Sequence, residues 1–126
     1  MNQVTLPSAD LAPAVRFYQK IGFTLIVDAL PRYARFEIPP DGDTLSLHIS
    51  SGHRGECGHV IYFECDDLDE RVDALRRAGV VFEKIPTDES WGWREARLRD
   101  PDGNELCLFF AGENRRFPPW RVAPKT

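Results

Sequence analysis

The sequence predicts an α+β fold made of two βαβββ modules, and three observations lead to it. Four residues recur at a constant offset of 57 positions: Asp10, Leu11, Val15 and Gly22 return as Asp67, Leu68, Val72 and Gly79. Each copy has apolar residues at helical spacing that end at the glycine. Three strand-like segments follow each predicted helix. Because a long repeat constrains the order of elements as well as their type, both halves should share one topology.

The first module begins with residues 2–7, which alternate as a short strand does. A helix follows, with Asp10 at its N-cap and Gly22 at its C-terminal end. Three further strands are predicted at 23–30, 32–38 and 44–50. The segment PPDGD between the last two is typical of a turn.

The second module repeats this order. A strand at 59–65 precedes a helix that Asp67 caps and Gly79 ends. Strands are predicted at 80–86, 94–99 and 105–110, and the last two are joined by the turn sequence DPDGN. The segment HRGECG at 53–58 is the predicted linker between the halves.

Composition narrows the class of protein. Of the 126 residues, 42 % are hydrophobic and 29 % charged, which is ordinary for a globular domain. The net charge of −4 argues against nucleic acid as a partner. No apolar run approaches a membrane span, and the N-terminal residues lack a signal peptide, so we expect a cytoplasmic protein. Cys57, Cys65 and Cys107 are an odd set without C-x-x-C spacing, which favours reduced thiols.

Three motifs carry a family resemblance: VTLPSADLAPAVRFYQKIGF, FECDDLDERVDALRRAGVVF and RLRDPDGNELCLF. Together they resemble the vicinal oxygen chelate superfamily of glyoxalase I, extradiol dioxygenases, fosfomycin-resistance transferases and bleomycin-resistance proteins. The resemblance implies a bowl-shaped mixed sheet in one domain over residues 1–113, with modules at 1–51 and 58–111. The segment ESWGWREARLRDPDGN is similar to the bleomycin-resistance branch, which implies a homodimer. The proline-rich tail at 114–126 should pack on the domain or on a partner subunit.

The resemblance also implies four positions that supply metal ligands in the metal-using members. The first falls on Gln3, a permitted ligand, and the second on Ser46, with His48 two residues on and therefore on the same strand face. The fourth falls on Cys107, where the metalloenzymes usually have Glu.

Two neighbouring residues, His59 and Val60, are candidates for the third ligand position. Alignment on FECDD and the repeat offset applied to Gln3 both select Val60. Because side chains alternate along a strand, His59 would then face the opposite side unless a β-bulge intervenes.

This donor set predicts a pocket without a metal, since Val offers no donor atom. The alternative is a divalent ion such as Zn, Fe(II), Ni or Mn held by His48, Cys107 and a bulged His59. His48 could also act as a general base or simply pack, bonded to the backbone. Cys107 could be a nucleophile or an inert core residue.

The most ligand-like cluster in the sequence is Trp91, Trp93, Arg94 and Glu95, whose aromatic and charged groups suit a flat or charged small molecule. The alternative is an edge strand or subunit contact in which Arg94 and Glu95 form a surface ion pair. Tyr33, Arg35 and Phe36 are further candidate wall residues, with packing the simpler role. Glu56, Glu64, Asp66 and Asp67 place acidic side chains near the first strand of the second module. Helix capping explains Asp67 and outward alternation explains Glu64, so neither of these two needs a catalytic role.

Two functions follow as hypotheses. The first is a small-molecule-binding protein of bleomycin-resistance type that binds its ligand at Gln3, Ser46, His48, Trp91, Trp93, Arg94 and Cys107. The second is an enzyme of glyoxalase or dioxygenase type that uses a divalent ion as a Lewis acid. A third possibility is an accessory module whose pocket is vestigial.

Overall fold

The computed structural model describes residues 1–50 and 59–124. The strands are β1 (Gln3–Ser8), β2 (Thr24–Ala29), β3 (Tyr33–Ile38), β4 (Asp43–Ile49), β5 (Val60–Glu64), β6 (Lys84–Asp88), β7 (Arg94–Arg99) and β8 (Glu105–Phe110). The helices are α1 (Leu11–Lys20) and α2 (Leu68–Arg77), and a short 3-10 turn covers Gly112–Arg115. The order of elements is that of two βαβββ modules, so the predicted α+β fold is confirmed.

The chain divides into two compact units. The first contains Met1–Val60 and Arg99–Glu105, and the second contains Ile61–Leu98 and Leu106–Thr126. Each unit has a four-stranded sheet, in the order β1-β4-β3-β2 in the first and β5-β8-β7-β6 in the second. These orders are the same when each strand is matched to its counterpart in the other module. The sequence repeat is therefore also a repeat of topology.

In the first unit, β1 pairs with β4 in parallel, while β3 pairs antiparallel with both β2 and β4. One face of this sheet carries completely buried apolar residues such as Phe36, Leu45 and Leu47. Helix α1 packs over β2, β3 and β4 and contributes Tyr18 and Ala14 to the same core. Since side chains alternate along a strand, the other face carries the polar residues of β3 and β4.

Both helices end in the same way. Gly22 and Gly79 have φ of 106° and 94°, a region that L side chains rarely adopt. The following residue closes the end in each case: Phe23 N–H donates to the Tyr18 carbonyl and Val80 N–H to the Leu75 carbonyl, each at 3.0 Å. This pattern is a Schellman motif, so the predicted glycine ends are confirmed.

A buried polar network, which the sequence did not predict, joins the DPDGN turn to β1 and α1 within the first unit. Asp100 Oδ2 accepts from the Tyr18 hydroxyl at 2.7 Å and from Asn104 Nδ2 at 2.8 Å. Asp102 accepts from Ser8 Oγ at 2.5 Å and from the Ala9 N–H at 2.8 Å. The turn therefore does more than connect two strands, because its carboxylates hold the ends of β1 and α1 to it.

Burial shifts two pKa values in this network. Desolvation raises the pKa of Asp100 above its ordinary value, although the hydrogen bonds from Tyr18 and Asn104 oppose the shift. Burial, together with the neighbouring Asp100, raises the pKa of Tyr18 well above that of a free phenol.

Other local predictions need correction. Asp10 and Asp67 occupy the N-cap positions, but neither side chain makes the capping hydrogen bond. Strand β6 begins at Lys84, not at residue 80, because Val80 is used to close the helix end. The 3-10 turn extends into the first residues of the tail.

Some expectations fall outside the described residues, namely the linker at 53–58, both module boundaries at 51 and 58, Glu56 and Cys57. Cys65 and Cys107 are free thiols. In the described ranges, no helix has the length and apolar character of a membrane span. Phe117 and Trp120 in the tail are 57 % and 61 % exposed, and the Arg121 guanidinium lies 4.4 Å from the centre of the Phe117 ring.

Candidate functional site

Three aromatic side chains of the second unit form a cluster on one face of its sheet. The rings of Trp93 and Phe109 are stacked, with centroids 4.6 Å apart and an interplanar angle of 16°. Tyr62 packs edge-on against both, at 6.0 Å from Trp93 and 5.6 Å from Phe109. Phe109 is buried, whereas Tyr62 is 43 % exposed. The cluster is therefore anchored in the core at one end and open at the other.

A buried ion pair lies against this aromatic cluster. Glu95, only 2 % exposed, accepts from Arg97 Nη2 at 2.9 Å and from Trp91 Nε1 at 2.8 Å. Arg97 also reaches the Tyr62 hydroxyl at 3.3 Å, with its guanidinium 5.5 Å from the centre of that ring. The two carboxylate oxygens of Glu95 thus hold one cation and one indole in fixed positions.

The surroundings of Arg97 stabilise its protonated form. Burial alone would lower the pKa of this guanidinium, but the Glu95 hydrogen bond and the nearby Cys107, Tyr62 and Glu95 groups raise the pKa above its ordinary value. These interactions favour the charged form of Arg97. Cys107 is completely buried and lies within the electrostatic reach of this cation.

Arg94 lies apart from this cluster. Its guanidinium binds both carboxylate oxygens of Asp69 on α2, at 2.8 and 3.1 Å, and one oxygen of Asp88 at 2.9 Å. These contacts raise the pKa of Arg94 through hydrogen bonds to Asp69 and Asp88. The ion pair considered between Arg94 and Glu95 is not formed, because adjacent residues of β7 point to opposite faces of the sheet.

Trp91 and Trp93 take different positions. Trp91 is 41 % exposed and is tied to Glu95 by its indole N–H. Trp93 is less exposed, and its indole N–H donates to the Asn114 carbonyl at 3.4 Å. Gly92, between them, has φ of 86°, and a Cβ there would lie 3.0 Å from Asn114 Nδ2. A glycine is thus required for the sharp bend that separates the two indoles.

A second polar cluster lies on the first unit, on the sheet face opposite to α1. The Tyr33 hydroxyl and Ser46 Oγ are 2.8 Å apart, and Arg35 Nε donates to the Tyr33 oxygen at 2.9 Å. Ser46 is completely buried, and Arg35 is its cross-strand partner. Hydrogen bonding to Ser46 lowers the pKa of Tyr33, and the Arg35 hydrogen bond and charge act in the same direction against desolvation.

Gln3 and His48 share this strand face with Ser46, as expected from the spacing. Gln3 is exposed, and its Oε1 accepts from Thr44 Oγ1 at 2.9 Å. His48 is exposed near the end of β4, with Nδ1 3.0 Å from the Ile49 carbonyl oxygen. Both side chains therefore contact groups of the first unit, while remaining accessible to solvent.

The predicted metal-ligand positions differ in the donor atoms that they supply. Strand β5 begins at Val60, and His59 lies just before it and is exposed. Over residues 1–50 and 59–124, no three His, Cys, Asp or Glu side chains come close enough together to hold a metal ion. A set of Gln3, Ser46, Val60 and Cys107 has one amide, one hydroxyl and one thiol as donors, and it does not suit the ions that the resemblance implies.

Sequence comparison identifies the family. The model of the Glyoxalase/Bleomycin resistance protein/Dioxygenase superfamily matches residues 1–108. The chain therefore belongs to this superfamily, which confirms the resemblance seen in its motifs. A search of curated proteins finds no significant sequence match.

Solved structures share the fold. A glyoxalase/bleomycin resistance protein/dioxygenase from Nocardioides is 25 % identical, with a TM-score of 0.76 over 97 % of this chain and 88 % of the other. A bleomycin-binding protein complexed with bleomycin is 22 % identical, with a TM-score of 0.72 over 87 % and 96 %. A lactoylglutathione lyase from Agrobacterium tumefaciens is 19 % identical, with a TM-score of 0.71 over 87 % and 92 %. The last two likenesses concern the fold alone.

Sequence reasoning missed several residues of the aromatic cluster and of the ion pair beside it. Tyr62, Arg97 and Phe109 were not singled out, although they complete the surroundings of Trp93 and Glu95. The alternation along REARLR contains a usable signal, because it places Glu95 and Arg97 on one face and Arg94 on the other. Phe109 and Tyr62 lie on different strands, and no local pattern links them.

Proposed function

We propose that this chain is a small-molecule-binding protein that works without a metal and holds an aromatic group of its ligand against the second unit. The observation that carries the proposal is the stack of Trp93 on Phe109 beside the Glu95–Arg97 pair. Pockets for small molecules are typically apolar, with a few polar groups in fixed positions. This cluster has both components.

The geometry favours a planar ligand group. Aromatic rings bind other rings by offset stacking or edge contact, and a ring that is already fixed loses little entropy on binding. Phe109 fixes the plane of Trp93, and Glu95 fixes the indole of the half-exposed Trp91. The charges of Glu95 and Arg97 largely cancel, so the aromatic surface itself contributes most of the affinity.

The donor chemistry supports independence from a metal. The metal positions that the family resemblance implies include Val60, which has no donor, and Ser46, whose hydroxyl is bonded to Tyr33. The Ser46 hydroxyl and the Gln3 amide are weak ligands for Zn or Fe(II) compared with imidazole, carboxylate and thiolate, which leaves the Cys107 thiol as the single strong donor of the set.

Titration with metal-free bleomycin tests this function, because a protein of the same fold is known in complex with it. Tryptophan fluorescence and calorimetry should show saturable binding, and Trp93→Ala should weaken it about tenfold or more, as loss of a central aromatic contact does. Phe110→Ala is the matched control, since Phe110 is a part-exposed aromatic residue on the opposite face of β8 from Phe109, and it should bind like the wild type.

If bleomycin does not bind, a panel of planar aromatic compounds should be screened by the same fluorescence change. Binding that is equal in the wild type and in Trp93→Ala would contradict the proposed site. Absence of any aromatic ligand in the panel would contradict the function and favour a vestigial pocket.

A metal-dependent enzyme of glyoxalase or dioxygenase type is the second candidate, favoured by one observation. His48 is exposed, and its Nδ1 lies beside a backbone carbonyl, an arrangement that orients the other ring nitrogen in many metal-binding histidines. Under this function, protein purified without chelator contains about one tightly bound ion per chain, and His48→Ala loses it. Wild-type protein without a stoichiometric ion contradicts it.

We propose further that the chain forms a homodimer. The exposed Phe117 and Trp120 support this, because apolar groups on a surface often mark an interface. Light scattering should give the mass of two chains, and the double variant Phe117→Ala, Trp120→Ala should shift it toward one. A wild-type mass of one chain contradicts the proposal. The cytoplasmic location stays a prediction.

A further inference from the structure

The first unit has an arginine whose terminal nitrogen atoms bind no carboxylate. Arg94, Arg97 and Arg115 each pair with a carboxylate. Arg35 instead uses its Nε to bind the Tyr33 hydroxyl, and within the described ranges no carboxylate pairs with its Nη1 or Nη2. It is half-buried on β3. The Nε–H is one of five N–H donors of the guanidinium, and the four on the Nη atoms remain available to a ligand.

The hydrogen bonds around Tyr33 also leave a donor for an outside group. The phenol oxygen accepts from Arg35, and the completely buried Ser46 hydroxyl lies 2.8 Å from the same oxygen. When Ser46 donates, the phenol proton is available to an acceptor that is not part of the protein.

We propose that Tyr33, Arg35 and Ser46 form a binding site for an anionic oxygen group of a small molecule, a carboxylate or a phosphonate. The Nη atoms of Arg35 and the hydroxyl of Tyr33 donate to the ligand oxygens. Ser46 holds Tyr33 in position from its buried place on β4. Charge-assisted hydrogen bonds of this kind are about twice as strong as neutral ones, and a guanidinium fits a carboxylate in a bidentate manner.

Two other ionisable groups share this face, Glu37 on β3 and His48 on β4. Glu37 is exposed and is the cross-strand partner of Thr44, while His48 is the cross-strand partner of Tyr33. Glu37 competes electrostatically for the cation, but its exposure means that solvent screens this effect. Glu37→Gln should therefore leave anion binding unchanged or slightly tighter.

The proposed site uses no residue of the aromatic cluster, so the test uses probes without rings. Acetate, methylphosphonate and the neutral acetamide are titrated at constant ionic strength, with the Nε–H of Arg35 followed by NMR. Both anions should give saturable shifts at Arg35, and acetamide should not. Comparison of acetate with methylphosphonate shows which of the two oxygen groups the site prefers.

Variants then assign the donors. Arg35→Gln should weaken binding of the preferred anion about tenfold or more, since it removes a charged donor, and Tyr33→Phe should weaken it less. Arg32→Gln is the matched control, because Arg32 is an exposed cation on the same hairpin, and it should bind like the wild type.

The proposal is overturned by linear shifts that do not saturate, by acetamide binding as well as the anions, or by equal effects of Arg35→Gln and Arg32→Gln. If Arg35→Gln does not fold, the wild-type titration at the Arg35 Nε–H still decides the question. Loss of aromatic ligand binding in Trp93→Ala with retained anion binding separates this site from the proposed function.

Discussion

Among single residues, we consider Asp100, a buried carboxylate whose two oxygen atoms both accept hydrogen bonds. It is 4 % exposed and accepts four hydrogen bonds, two at each carboxylate oxygen: from the N–H groups of Asp102 and Asn104, from Asn104 Nδ2 and from the Tyr18 hydroxyl. An amide has only one acceptor oxygen. Asp100→Asn should therefore lower the free energy of unfolding at pH 7 by about 1–3 kcal/mol, as loss of a buried acceptor does. Urea unfolding measures this.

The pH dependence of the same variant has a defined sign. Because burial raises the folded-state pKa of Asp100, the folded protein binds more protons than the unfolded chain between the ordinary carboxyl pKa and the raised one. The wild type thus gains stability from this group as the pH falls through that window. The difference between wild type and Asp100→Asn should widen in acid. Asp73→Asn, an exposed change on α2, is the control and should stay within about 0.5 kcal/mol of the wild type at each pH.

At the scale of elements, the two helices end at equivalent glycines of the repeat, and substitution tests whether both glycines have the same role. Gly22 and Gly79 have positive φ, which costs an L residue about 1 kcal/mol or more. Gly22→Ala and Gly79→Ala should each lower the free energy of unfolding by about that amount, and Gly79→Asn should cost less because Asn tolerates this conformation. Thermal unfolding of the three variants checks this. An alanine variant as stable as the wild type would show that the end rearranges without cost.

Element types were predictable where one local pattern acts alone. Strands β7 and β8 coincide with the predicted 94–99 and 105–110. The turn sequence DPDGN separates them, so the end of β7 and the start of β8 could be read directly from the sequence. The start of β6 was misplaced because apolar Val80 and Val81 have strand propensity, yet Val80 closes the helix end. The Asp10 and Asp67 caps failed for another reason: residue type favours a cap, but the side-chain hydrogen bond depends on local geometry.

For the whole molecule, the repeat predicted more than the composition did. It gave the order of elements, and both sheets have equivalent strand orders. It also matched Val60 with Gln3, and these two residues are the first of β5 and β1. Contacts between residues distant in the sequence were not predictable. Tyr62 and Phe109, for example, come into contact because their strands, β5 and β8, are neighbours in the folded sheet. The link between Asp100 and Tyr18 likewise joins residues 82 positions apart.

The last prediction concerns metal removal from the whole protein. A ligand that binds only the folded state stabilises it by an amount that grows with its concentration relative to Kd, so removing a bound ion lowers the unfolding temperature. The described residues hold no group of three His, Cys, Asp or Glu side chains suited to an ion. Dialysis against EDTA should therefore leave the unfolding temperature unchanged, as followed by calorimetry, and added Zn²⁺ or Mn²⁺ at equimolar concentration should not raise it. A fall after EDTA that one equivalent of ion reverses would contradict the metal-free function, and repeating the experiment with His48→Ala would then show whether that imidazole is a ligand.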